Sequence, residues 1–97
     1  MKVRLRFYGV FRTAAGKSEL VLNLADQNET VRSVVAHLFD IDGFARLNQL
    51  LFGSDTSDPR PNALVMVSGR EINTLQGLDT PLTDNDELAL VPVAHGG

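Results

Sequence analysis

Cysteine is absent from all 97 residues, which excludes disulfides, thiolate metal sites, iron–sulfur clusters and a cysteine nucleophile. No stretch approaches the roughly 18 apolar residues of a membrane span, and the N-terminus lacks an apolar run of signal-peptide length. A cytoplasmic protein with no membrane partner is the expectation. No Ser-His-Asp set, P-loop or glycine-rich phosphate cradle is present. A chain this short buries about two-thirds of its unfolded surface in one compact core, with little room for an enclosed catalytic cavity. These absences turn the reading from an enzyme toward a carrier, a binding module or an oligomer subunit.

What is present is an ordinary globular composition, 43% hydrophobic and 22% charged, with a net charge of -3. The charge is uneven. Residues 1–36 carry Lys2, Arg4, Arg6, Arg12, Lys17 and Arg32 against Glu19, Asp26 and Glu29, a balance of +3. Residues 37–97 balance at -6. An acidic C-terminal half argues against non-specific nucleic-acid binding and suits a basic partner groove.

Residues 2–8 alternate basic and apolar, with Val3, Leu5 and Phe7 on one face, the mark of a half-buried strand. Gly9 to Gly16 reads as a loop, with Gly16 available for a positive φ. Glu19 to Leu24 alternates again, so the two strands form an antiparallel hairpin. The period then changes. Thr30 serves as N-cap, and Val31, Val34, Val35 and Leu38 follow at helical spacing. The helix ends near Phe39 before the turn chemistry of Asp40 to Gly43. A shorter helix spans Phe44 to Phe52 on Leu47, Leu50 and Leu51, and residues 53–62 form a surface loop. Ala63 to Ser68 is an apolar run short enough for a buried central strand, and Gly69-Arg70 turns it. Residues 71–85 are irregular, anchored by Leu75, Leu78 and Leu82. Glu87 to Val91 is the last strand.

A hairpin, a crossover helix and a returning strand make a mixed sheet covered by helix on one face. The fold class is α+β: a β-grasp (ubiquitin-like) sheet of four to five strands packed on one main helix, first and last strands parallel at its centre. The domain is expected over residues 1–92, with 93–97 as a flexible tail ending Gly96-Gly97.

Two terminal glycines have a physical use. A carboxylate joined to AMP gains a good leaving group, and an activating enzyme must draw it through a narrow channel. Glycine lacks Cβ, so the backbone passes close to the channel walls. Chance gives a Gly-Gly terminus in about half a percent of chains at ordinary glycine usage; here it follows a β-grasp pattern ending in a strand.

The segment from Pro81 through Asp84, Asp86 and Glu87 to Pro92, followed by a tail ending Gly-Gly, resembles the C-terminus of MoaD/ThiS sulfur carriers. Arg4 to Arg12 with Gly16 resembles the start of the molybdopterin synthase small subunit. Arg60-Pro61, Leu64-Val65, Leu75, Gly77 to Asp79, Leu82 and His95-Gly96-Gly97 are similar to the ubiquitin-related modifier of tRNA thiolation, and archaeal small modifier proteins are similar to both branches. Val91 and Val93 stand where the molybdopterin branch usually has an aromatic residue and a second proline, and the 53–62 loop is longer than in compact ThiS-like carriers.

The resemblance implies that a ubiquitin-activating-like enzyme adenylates Gly97, ATP being used by that partner and no cofactor bound permanently. A persulfide from a sulfur donor then displaces AMP and leaves a thiocarboxylate. That sulfur passes to a tRNA thiolase or to the molybdopterin synthase large subunit; alternatively the activated carboxyl joins a target-protein lysine. The chain itself is substrate, not enzyme. In the family, the region of Tyr8 and Val91, here with Ile72, Pro92 and His95, contacts the activating enzyme. His95 and His37 lack the partners of a metal site, and Asp84 to Glu87 lacks the spacing of a calcium loop. The competing class is a non-covalent β-grasp binding module with incidental terminal glycines.

Overall fold

The structure, a computed structural model, describes residues 1–93. Strand β1 (Lys2–Phe7) leads into helix α1 (Gly9–Ala15) and returns as β2 (Glu19–Asn23). Helices α2 (Val31–His37) and α3 (Ala45–Phe52) are joined by a 3-10 turn at Leu38–Asp40. Strands β3 (Ala63–Val67) and β4 (Arg70–Glu71) form a tight hairpin, and β5 (Asp86–Pro92) closes the fold. The sheet order is β2-β1-β5-β3-β4. As expected, β1 and β5 lie side by side and parallel, Leu5 opposite Leu88 and Phe7 opposite Leu90, with β5 central.

Alternation on β1 sends Val3, Leu5 and Phe7 into the core, where they meet Val65, Leu88 and Leu90 from the neighbouring strands. The helices close that layer with Val31, Val34, Val35, Leu47, Leu51 and Phe52. Phe7 and Phe44 pack edge to face at 5.9 Å. A seven-residue helix is marginal alone. Helix α2 holds because its apolar stripe is buried and because Thr30 and Ser33 form a reciprocal capping box: Ser33 N–H donates to Thr30 Oγ1, and Thr30 N–H to Ser33 Oγ. Ser33 Oγ also donates to the buried Glu29 carboxylate at 2.8 Å.

Four expectations need correction. Gly9 to Gly16 is not a loop but helix α1, with Gly16 as its left-handed C-cap at φ 74°. There is no single main helix; α1, α2 and α3 are of nearly equal length. The Ala63 run is buried at alternate positions only, since Leu64 is exposed and Met66 half-buried. Residues 70–71, within the turn and irregular stretch, form β4 at the sheet edge. No described helix is long and apolar enough to cross a membrane.

Candidate functional site

Every candidate feature of the tail depends on where β5 ends. Val93 N–H donates to Asn62 O on the β3 side. Strand alternation therefore aims the N–H position of Pro92 to the other side, where β1 has already turned into α1 and no carbonyl waits for a donor. Proline thus costs no ladder bond here. Asn62 is itself held, its Nδ2 donating to Leu51 O at 3.1 Å. On the α1 side Gly9 runs so close that a Cβ there would lie 3.0 Å from Pro92 Cγ. The root of the tail is thereby gripped by α1, α3 and the 53–62 loop.

The sheet face away from the helices carries an apolar strip. Arg6, Ala89 and Met66 lie in one row across β1, β5 and β3. In the next row Leu64 pairs with Val91, and Tyr8, one residue past the Phe7–Leu90 pair and donating its N–H to Leu90 O, continues that row on the β1 side. Tyr8 is 40% exposed and Leu64 38%, while Val91 is half-buried. The Arg6 guanidinium sits over the Tyr8 ring at 5.8 Å, and its buried Nε has no partner among the described residues. Arg4 pairs with Glu19 at 2.6 Å beside the strip. An apolar surface edged by a guanidinium is suited to a partner offering apolar contact and a carboxylate.

Tyr8, Val91 and Pro92 are brought together at this end, as the sequence led one to expect. Ile72 is not: it is fully buried in the 3-10 turn after β4, so it belongs to the core and offers nothing to a partner. His95, Gly96 and Gly97 lie outside the described residues. Leu64, Met66 and Arg6 were missed. In Ala-Leu-Val-Met-Val every residue is apolar, so no alternation reveals the outward pair. His37 does face outward, with Nε2 3.4 Å from Glu29. Among the described residues no group of three acidic or His side chains could hold a metal.

A family model described as the ThiS family matches residues 5–97, through both terminal glycines. The chain is 31% identical over 98 residues to small archaeal modifier protein 3 of Haloferax volcanii, with all of both chains covered. The solution structure of small archaeal modifier protein 1 from Methanosarcina acetivorans superposes with a TM-score of 0.77 at 27% identity, covering 99% of this chain and 96% of that one. The solution structure of Urm1 from Trypanosoma brucei shares the fold, with a TM-score of 0.78 at 22% identity and coverages of 99% and 95%. With the β-grasp sheet, the gripped tail root and a family match that includes the diglycine, the chain belongs to the ThiS family of ubiquitin-like sulfur carriers and modifiers.

Proposed function

We propose that the Gly97 carboxylate is the working group, adenylated by a ubiquitin-activating-like enzyme and then converted to a thiocarboxylate or joined to a lysine of a target protein. The carrying observation is the delivery of the tail by the central strand. Residues 94–97 extend at most about 14 Å beyond Val93. An enzyme that holds the terminal carboxylate must therefore sit against the end of β5, where Tyr8, Val91 and Leu64 make the apolar strip. Recognition and chemistry are coupled through one short tether.

In the first step the carboxylate oxygen attacks the α-phosphate of ATP held by the enzyme, and pyrophosphate leaves. A persulfide sulfur from the sulfur donor then attacks the acyl carbon, AMP departs, and a thiol of the partner reduces the acyl disulfide to the thiocarboxylate. A lysine amine attacking the same carbon gives an isopeptide bond instead. The chain is substrate in each step. The name of its 31%-identical relative supports the modifier outcome, while a tRNA thiolase or the molybdopterin synthase large subunit would take the sulfur in the others.

The test is intact-protein mass spectrometry after incubation with a cognate adenylating enzyme, ATP and a persulfide donor. Exchange of one oxygen for sulfur is expected, abolished by deleting Gly97 or by adding one residue after it. The apolar strip alone would also serve a non-covalent module. Retained function in the one-residue extension would sink the proposal in favour of that module.

A further inference from the structure

The sheet has two edges, and the chain treats them differently. At one end of the strand order, β4 is two residues long and both are charged, Arg70 and Glu71. An edge so short and polar is a poor template for another strand. At the other end, β2 runs five residues, Glu19-Leu-Val-Leu-Asn23, and among the described residues pairs with β1 alone. It lacks the devices that usually blunt an edge. Within the strand there is no proline and no lysine, no charge points to the helix side, and the register against β1 runs without a bulge. Its one charge, Glu19, is drawn back over the sheet by Arg4.

The backbone parity of this edge follows from its ends. Phe7 N–H donates to Ser18 O, and Leu24 N–H to Met1 O. The even-numbered residues of β2 therefore spend their backbone groups on β1, while Glu19, Val21 and Asn23 turn N–H and C=O outward. Leu20 and Leu22, opposite Leu5 and Val3, lie on the helix side, yet the helices leave both only half-covered. On the outer face Val21 is 39% exposed. The edge thus offers open backbone groups flanked by apolar side chains on both faces of the sheet.

The strand is complementary to itself. Turned about a two-fold axis through Val21, it sets Val21 opposite Val21, Glu19 opposite Asn23 and Leu20 opposite Leu22. All five residues pair and no like charges meet. An axis through Glu19 would set carboxylate against carboxylate, and one through Asn23 would leave Glu19 and Leu20 without strand partners. In the Val21 register the outward residues exchange two hydrogen bonds per pair, about six in all. The half-covered leucines of one copy meet those of the other.

We propose that β2 pairs antiparallel with β2 of a second copy, in register about Val21, joining two five-stranded sheets into one. Both remaining edges are then β4, so assembly stops at two copies. Because β5 runs antiparallel to β2, the two tails leave at opposite ends, and both outer apolar strips stay uncovered on one face. Dimerisation therefore neither needs nor blocks tail activation. Five strand residues a side is small beside the roughly 20–30 of a standard interface. The dimer is accordingly weak, with a Kd of about 0.1–1 mM.

The experiment is sedimentation equilibrium of the full chain from about 10 μM to about 1 mM, with an isotope-filtered NOESY on mixed labelled and unlabelled chains. A monomer–dimer equilibrium is expected, with an intermolecular Hα–Hα contact between Leu20 and Leu22. Those two residues lie roughly 7 Å apart within one strand, so the contact reports pairing between copies. Val21→Lys, at an exposed position, sets ammonium against ammonium and should raise the Kd about tenfold or more, with adenylation at the wild-type rate. Val21→Thr should keep the dimer, and so should Leu64→Glu on the outer strip. A monomer at every concentration, no Leu20–Leu22 contact, or growth beyond two copies would each overturn the proposal. So would a dimer abolished by Leu64→Glu and untouched by Val21→Lys.

Discussion

At the residue scale, two polar groupings carry more than their surroundings suggest. The Thr30–Ser33 capping box satisfies the Thr30 and Ser33 N–H groups at the start of a helix too short to stand alone. Thr30→Ala is expected to cost about 1 kcal/mol, lowering the melting temperature by roughly 4–8 °C in a domain of this size; calorimetry checks it. The second grouping is Asp58 with Arg60, whose Nε and Nη2 donate to the two carboxylate oxygens at 2.9 Å each. The Arg60 hydrogen bonds hold the Asp58 carboxyl below its ordinary value of 3.8. The folded state thus binds that proton more weakly than the unfolded chain. The stabilisation is fully present above the unfolded value and fades as pH falls through the folded one. The pair is partly solvated, so its worth is under about 1 kcal/mol. Urea melts of Asp58→Asn should show a deficit against wild type at pH 7 that shrinks progressively as the pH is lowered through and below 3.8.

At the element scale, α1 packs against the end of β5, where Gly9 meets Pro92. Its body, Val-Phe-Arg-Thr-Ala-Ala, buries only Phe11 fully, and glycines with positive φ stand at both ends. The two glycines differ in what surrounds them. Gly16 at φ 74° has open space, so Gly16→Ala incurs only the left-handed penalty of about 1–2 kcal/mol. Gly9 at φ 53° faces Pro92 Cγ at 3.0 Å, so Gly9→Ala adds a clash against the tail root. Gly9→Ala is expected to lose more stability than Gly16→Ala, and to shift the amide signals of Val91 and Val93, which Gly16→Ala leaves in place. A two-dimensional NMR comparison decides the point.

At the scale of the whole molecule, the proposed function divides the labour between the two faces of the sheet, stability on the inner and recognition on the outer. Ile72 is fully buried, so Ile72→Ala should cost about 2–5 kcal/mol in a denaturant melt. The folded fraction of that variant should be adenylated at the wild-type rate. Leu64, across from Val91 on the outer face, should behave in the opposite sense. Leu64→Glu is expected to leave the melting temperature within a few degrees and to reduce adenylation about tenfold or more, measured by pyrophosphate release. Equal effects of the two substitutions on adenylation would remove the outer strip from recognition.

Local sequence was enough to determine the elements whose signals are periodic or terminal. The alternation of β1 and β2, the Thr30 cap with its helical valines, the α3 stripe, the last strand and the diglycine were all legible because each is a pattern over neighbouring residues. That information also implied the β-grasp order with β1 and β5 parallel. Tertiary structure decided the remainder. Helix α1 was hidden because flanking glycines read as loop, and only the packing of Phe11 makes seven residues worth ordering. Ile72 was misplaced because its position follows the turn after β4, not a strand alternation that could be counted. The outward pair Leu64 and Met66, and the buried Asn48 oxygen without a partner among the described residues, have no sequence signature at all. Which face an apolar strand turns to solvent, and which buried polar atom lacks a partner, depend on neighbours distant in the chain.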